Sequence, residues 1–281
     1  MTLVIGINLG DGILITADSR VTTTWQRGLS TRVDCCQKVF RIAESTIVGF
    51  CGHLVAIADM LSFFYYMNQL RPDFLDIDIL VNRLPLGLKS RAEEFMRING
   101  WREDLGLIVG GKNGAGVFKL FSCQSPDYQA IPIEIYDTAV IGSGAPIVER
   151  MRADVRRNLP LMIRKQMKPF DDMDRAKYVS SIVAHNINFT LASHVEREVE
   201  NDSLSSVGRI FHTIYIDAKN VWPIPYESLQ LNELCQPELN IGTRYENGKW
   251  VQFRKDGTEI ELVSPIEIVQ NDKLLKQNRT L

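Results

Sequence analysis

What most constrains the fold is the start of the chain: two apolar runs, Leu3 to Leu9 and Ile13 to Asp18, around the turn Gly10-Asp11-Gly12. Runs rich in β-branched residues on either side of an Asp-Gly turn predict a hairpin. Because the first strand begins at residue 3, the amino terminus is fastened to a sheet. Residues 21 to 34 are polar and read as a loop. Lys38 to Ile42 and Thr46 to Phe50 read as further strands. After Gly52, Leu54, Ile57, Ala58, Leu61, Phe64 and Tyr65 recur at helical spacing, and Pro72 ends that helix. A second helix is predicted from about Asp73 to Asn99, interrupted near Pro85 and Gly87. Strands follow at 105 to 111, 116 to 123, 131 to 136 and 138 to 142, with Gly110 to Gly114 read as a hairpin turn. Helical patterns at about 145 to 168 and 172 to 195 precede a strand at 209 to 216. Helices in consecutive pairs, rather than one per strand, argue against a doubly wound parallel sheet. They predict an α+β sandwich of two sheets with helices on both outer faces.

Residues 217 to 281 differ in texture. They are rich in Pro, Asn and Glu, and contain KWVQFRKDGTEIELV, whose alternation predicts a hairpin turning near Asp256-Gly257. The chain therefore divides into a domain at 1 to 216 and a β-rich C-terminal extension at 217 to 281, which packs on the core or on a neighbour. A formal net charge of -2 over 281 residues predicts neither a nucleic-acid stripe nor a polybasic membrane surface. No apolar run approaches the roughly 20 residues that span a bilayer. The opening MTLVIGINLGDG lacks a secretory signal pattern, which places the protein in the cytoplasm. Five cysteines without a CxxC pair argue against a disulfide framework or a zinc site, and the four histidines show no short ligand spacing. No phosphate loop is present; no cofactor and no metal are implied.

Thr2 carries the chemical interest. A threonine hydroxyl is a poor nucleophile unless a base sits beside it. With Met1 removed, the α-amino group of Thr2 lies on the same residue, and its reference pKa of about 7.7 to 8 leaves it partly neutral at physiological pH. One residue then supplies both nucleophile and base.

The run from Thr2 to Arg20, ending in Ala17-Asp18-Ser19-Arg20, resembles the opening of proteasome β-subunits, members of the N-terminal-nucleophile (Ntn) hydrolase superfamily. The spacing from Thr2 to Asp18 and Arg20 matches that family without a gap. Lys38 in KVFRI resembles its catalytic lysine, after a loop about four residues longer than usual. Gly52 in Phe50-Cys51-Gly52 matches the oxyanion-hole glycine. Gly142-Ser143-Gly144 resembles the G-S-G element, and Asp202 with Ser205 resembles the D-x-x-S pair, with Ser-Ser-Val-Gly where the family has S-G-G. The tail has no counterpart in these subunits.

The resemblance implies a four-layer αββα Ntn sandwich and a threonine-type endopeptidase acting through an acyl-enzyme. In it, Lys38 would favour the Thr2 alkoxide, Asp18 would pair with Lys38, and Arg20 would brace that carboxylate and the nearby backbone. Ser143, Asp202 and Ser205 would hold the α-amino group or a bridging water, and the Gly52 N–H would stabilise the oxyanion. The positions flanking the specificity pocket are Val21, Cys36, Phe50 and Leu54. All are apolar, favouring apolar side chains, although Phe50 could shorten the pocket. The resemblance further implies a peptide or unfolded-protein substrate and a homo-oligomeric ring or stack, and leaves an ATPase partner open. The ADSR signature resembles the β-subunits and the bacterial ancestral-β proteins more than the bacterial two-component peptidase, which has a G-D-G-Q type element there, and a start at the first strand resembles β-type rather than α-type subunits.

Taken singly, each position has an ordinary explanation: a strand-end ion pair, a solvated lysine, a tight turn, a helix cap. Only the ordered set points to catalysis. Two alternatives use the same residues. One is an inactive scaffold or assembly subunit, which a retained Met1 would mark. The other is a transpeptidase or ligase, in which an amine captures the acyl-enzyme.

Overall fold

The structure, a computed structural model, describes residues 3–24, 30–99, 105–142, 152–153, 156–157, 211–231 and 237–271. Thr2, Ser143, Asp202 and Ser205 lie outside the described residues, as do almost all of the helical patterns expected at 145–168 and 172–195.

The opening hairpin forms as the sequence predicts. β1 (Leu3–Asn8) pairs antiparallel with β2 (Gly12–Asp18), Val4 opposite Ala17 and Asn8 opposite Ile13. The segment expected as a loop, 21 to 34, is instead largely β3 (Arg20–Thr24) paired with β4 (Ser30–Asp34). Polarity misled there: Val21, Thr22, Thr23, Thr24, Thr31 and Val33 are β-branched, and such residues favour strands whether or not they are apolar. β5 (Val39–Ala43) and β6 (Thr46–Gly52) follow, then α1 (Leu54–Leu70) and a 3₁₀ turn over Pro72–Leu75. α2 (Ile77–Asn99) keeps Pro85 inside a continuous helix, so the expected interruption is absent. β7 (Leu105–Lys112) carries Gly110 and Gly111 within the strand, and the turn moves on to Asn113–Gly116. β8 (Phe118–Gln124), a short β9 (Ile131–Pro132) and β10 (Thr138–Gly142) come next. The strand expected over 131 to 136 is cut short: Tyr136 adopts a positive φ of 63° and the chain turns there toward β10.

After β11 (Phe211–Asp217), the C-terminal part adds β12 (Val221–Ile224), β13 (Tyr226–Leu231), β14 (Pro237–Glu246), β15 (Lys249–Arg254), β16 (Glu259–Glu261) and α3 (Pro265–Gln270). The predicted hairpin is β15 and β16, with Gly257 at φ 82° in its turn.

One five-stranded antiparallel sheet has the order β10-β1-β2-β11-β12, and a second has β5-β6-β7-β8-β9. The two face each other across an apolar layer that includes Val4, Ile13, Ile15, Val39, Ile47, Ile108, Leu120, Ile214 and Trp250. The sheets approach closely at two glycines of the second sheet. A Cβ on Gly49 would lie 2.5 Å from Val4 Cγ1, and one on Gly110 would lie 2.5 Å from Ile13 Cγ2. The outer face of the second sheet packs Phe40, Val48, Phe50, Leu107 and Phe121 against α1, α2 and the 3₁₀ turn. The described architecture is thus mixed α/β, mostly antiparallel, with helices over one face of a pair of stacked sheets. The first sheet runs past residue 216, because β12 forms its edge. The remaining C-terminal strands form a sheet of order β13-β14-β15-β16, and α3 packs on α1. Among the described residues, no helix is long and apolar enough to cross a membrane.

Candidate active site

Asp18 closes β2 and is fully buried. The backbone then passes through Ser19, whose carbonyl accepts from the N–H groups of both Cys35 and Cys36 at 3.1 and 3.0 Å. Those two bonds draw the far end of the β3–β4 hairpin back to the end of β2, and Lys38 returns beside Asp18 although twenty positions separate them.

The Lys38 ammonium donates to Asp18 Oδ1 at 3.1 Å and to the Arg20 carbonyl at 2.5 Å. The same Oδ1 accepts the Leu3 backbone N–H at 2.7 Å, and Oδ2 accepts the Arg20 N–H at 3.0 Å. The side chains of Lys38 and Asp18 are 5% and 0% exposed, so this ion pair is desolvated. Its partners supply the hydrogen bonds a buried charge requires. Leu3 N is the amide that carries residue 2. The ammonium therefore stands one carboxylate oxygen away from the atom to which the candidate nucleophilic residue is bonded.

Arg20 lies within electrostatic reach of Asp18, but its strongest side-chain partner is another carboxylate. Its guanidinium forms a two-point pair with Asp34, Nε to Oδ1 at 2.8 Å and Nη2 to Oδ2 at 3.0 Å, which raises its pKa above the ordinary arginine value. The Arg20 backbone binds both Asp18 and Lys38. Asp34 was missed in the sequence because nothing in one chain shows which residue faces Arg20 across β3–β4.

Gly52 ends β6 exposed to solvent, with φ at 121°, a conformation side-chain-bearing residues rarely adopt. His53 follows in the extended region, and α1 begins at Leu54. Of the four pocket positions, Val21 and Leu54 are half-buried, whereas Cys36 and Phe50 are buried. Phe50 packs on Phe40 and Phe64, with ring centroids 6.2 and 6.3 Å away, so it belongs to the sheet–helix core rather than to an open surface. Burial pushes the Cys36 thiol up to about 12 and raises that of Cys35, so neither is a thiolate at neutral pH.

His212, one of the four histidines whose spacing suggested no ligand set, is a site-region residue. It is fully buried, and its Nε2 accepts the backbone N–H groups of both Lys38 at 2.8 Å and Val39 at 3.1 Å. Accepting at Nε2 fixes the Nδ1–H tautomer. Burial, reinforced by the nearby Lys38 charge, lowers its pKa to about 3. A faint signal existed: in His212, Ile214, Ile216 one polar residue occupies the apolar face of a strand.

Among the described residues, no group of three or more His, Cys, Asp or Glu side chains could hold a metal ion. In comparisons with known proteins, no family model matches the sequence and no curated protein matches it significantly.

Proposed function

We propose that this chain is a threonine-type peptidase of the Ntn-hydrolase kind, resembling proteasome β-subunits, with Thr2 as its nucleophile once Met1 is removed. The observation that carries the proposal is the buried Lys38–Asp18 pair hydrogen-bonded to the amide that bears residue 2. An ammonium there lowers the cost of an alkoxide on Thr2 and holds the α-amine nearer its neutral form. The amine takes the hydroxyl proton as Oγ attacks the substrate carbonyl, and the tetrahedral oxyanion accepts from the Gly52 N–H, a contribution typically worth about 3 to 4 kcal/mol. Collapse passes that proton to the leaving amine and leaves an ester on Thr2, which water cleaves. Ser143, Asp202 and Ser205 are assigned to holding the α-amino group.

The full architecture proposed is the four-layer αββα sandwich. Support comes from the first sheet, where Leu3, Ile5, Leu14, Phe211 and Tyr215 alternate with the inter-sheet residues and are also buried. Half-buried Val21 and Leu54 favour substrates with apolar side chains before the cleaved bond. A cytoplasmic homo-oligomer completes the proposal.

Fluorogenic peptides test it. The purified protein should cleave apolar substrates in preference to acidic or basic ones, and Thr2→Ala, which removes the nucleophile, should lower kcat by about 10⁶-fold. Equal turnover by wild type and Thr2→Ala would move the nucleophile elsewhere.

A further inference from the structure

Lys38 sits on a segment that residues from the C-terminal part of the chain hold on several sides. His212 receives two consecutive amides, Lys38 and Val39, on one nitrogen. The ring of His212 packs against Trp250, centroids 5.9 Å apart, and Trp250 is fully buried on β15. Val263 grips the preceding residues: its N–H donates to the Cys35 carbonyl at 2.8 Å and its carbonyl accepts from Gln37 N–H at 3.0 Å. Gln252 is also fully buried on β15, and with its amide oriented so that its oxygen accepts from Arg254 Nε at 3.2 Å, its nitrogen donates to the Asp34 carbonyl at 3.1 Å. Residues 34 to 39 are thus tied at five of their six positions by bonds from Val263 and Gln252 or from His212, which Trp250 backs.

From these contacts we infer that His212, Trp250, Gln252 and Val263 form a clamp that positions the Lys38 ammonium, making the C-terminal extension part of the working site. The inference rests on the peptidase proposal above. Its chemistry is geometric. Lys38 carries a flexible four-carbon side chain, and fixing its backbone narrows the positions its head group can take while it meets Asp18 Oδ1 and the Arg20 carbonyl. His212 suits that task because a neutral imidazole accepts N–H donors without adding a charge beside the ammonium. The four are positioning residues and touch no reacting atom. A displacement of about 1 Å in a catalytic group can cost about 10²-fold in rate.

The test compares His212→Leu, which keeps bulk but removes the acceptor, with His212→Gln, whose side-chain oxygen can reach the Nε2 position. Gln252→Leu probes the second arm. Two readouts are taken on the full-length protein: steady-state cleavage of an apolar fluorogenic peptide, and hydrogen exchange of the amides in residues 35 to 39. His212→Leu should lower kcat by about 10²-fold with KM changed by less than about twofold. It should also speed exchange in that segment, and His212→Gln should restore both. Gln252→Leu should lower kcat more mildly at unchanged KM, and it decides the matter if His212→Leu does not fold. Unchanged exchange and kcat in the folded variants, or equal impairment by Leu and Gln at 212, would overturn the clamp. A wild-type protein without peptidase activity would remove the catalytic reading, and the exchange data alone would then decide whether the clamp exists.

Discussion

Lys38 and Asp18 each carry a charge that burial would penalise if it stood alone. Together they are stabilised by each other, by two backbone N–H groups on the carboxylate and by the Arg20 carbonyl on the ammonium. Removing one partner of such a pair typically costs about 3 to 5 kcal/mol. Lys38→Met should therefore lose stability of that order in urea unfolding, as well as activity; a change below about 1 kcal/mol would mean the carboxylate finds another partner or protonates cheaply. His212 gives a pH prediction. Its pKa is depressed in the fold, to about 3, against an unfolded value near 6.5. The unfolded chain takes up the proton first, so the contribution is complete above pH ~6.5 and is lost as pH falls from there toward about 3. Unfolding free energies from urea titrations between pH 6.5 and 4 should fall less steeply in His212→Gln than in wild type, by up to about 1.4 kcal/mol per pH unit. Parallel slopes would show that His212 protonates freely in the fold. Asp18 and Lys38 were both singled out in the sequence by their motifs, and the structure pairs them. His212 and Asp34 were not, because their roles depend on pairing between distant segments.

The elements that alternate or repeat cleanly were legible: the opening hairpin, α1, β7, β10 and the β15–β16 hairpin. The β3–β4 hairpin was hidden by its threonines, whose polarity masked their strand preference. Pro85 was read as a break, yet α2 continues through it. Where the stacked sheets touch, sequence alone is silent on distance, and the structure supplies it. Gly49→Ala would force a Cβ against Val4 and Ile15 and should cost about 1 to 3 kcal/mol, as overpacking typically does. Gly114→Ala meets nothing within 4 Å and should stay within about 0.5 kcal/mol of wild type. Thermal melts of the two variants check the contrast; equal melting temperatures would mean the sheets separate without cost.

Across the whole molecule, the central sheet joins strands from the start, the middle and the C-terminal third of the chain, in the order β10-β1-β2-β11-β12. That non-local pairing is why a sandwich could be argued from element order, while the placement of the C-terminal strands against residues 34 to 39 could not. It also sets one charged pair at the amide next to the second residue, and everything proposed about function follows from that placement. Intact-mass measurement of the purified, assembled protein, with and without a threonine-directed epoxyketone, tests it most directly. The account predicts a chain lacking Met1 that gains one inhibitor mass on Thr2, and no gain in Thr2→Ala. A chain that retains Met1 and stays unmodified would contradict it and favour a scaffold built on the same fold.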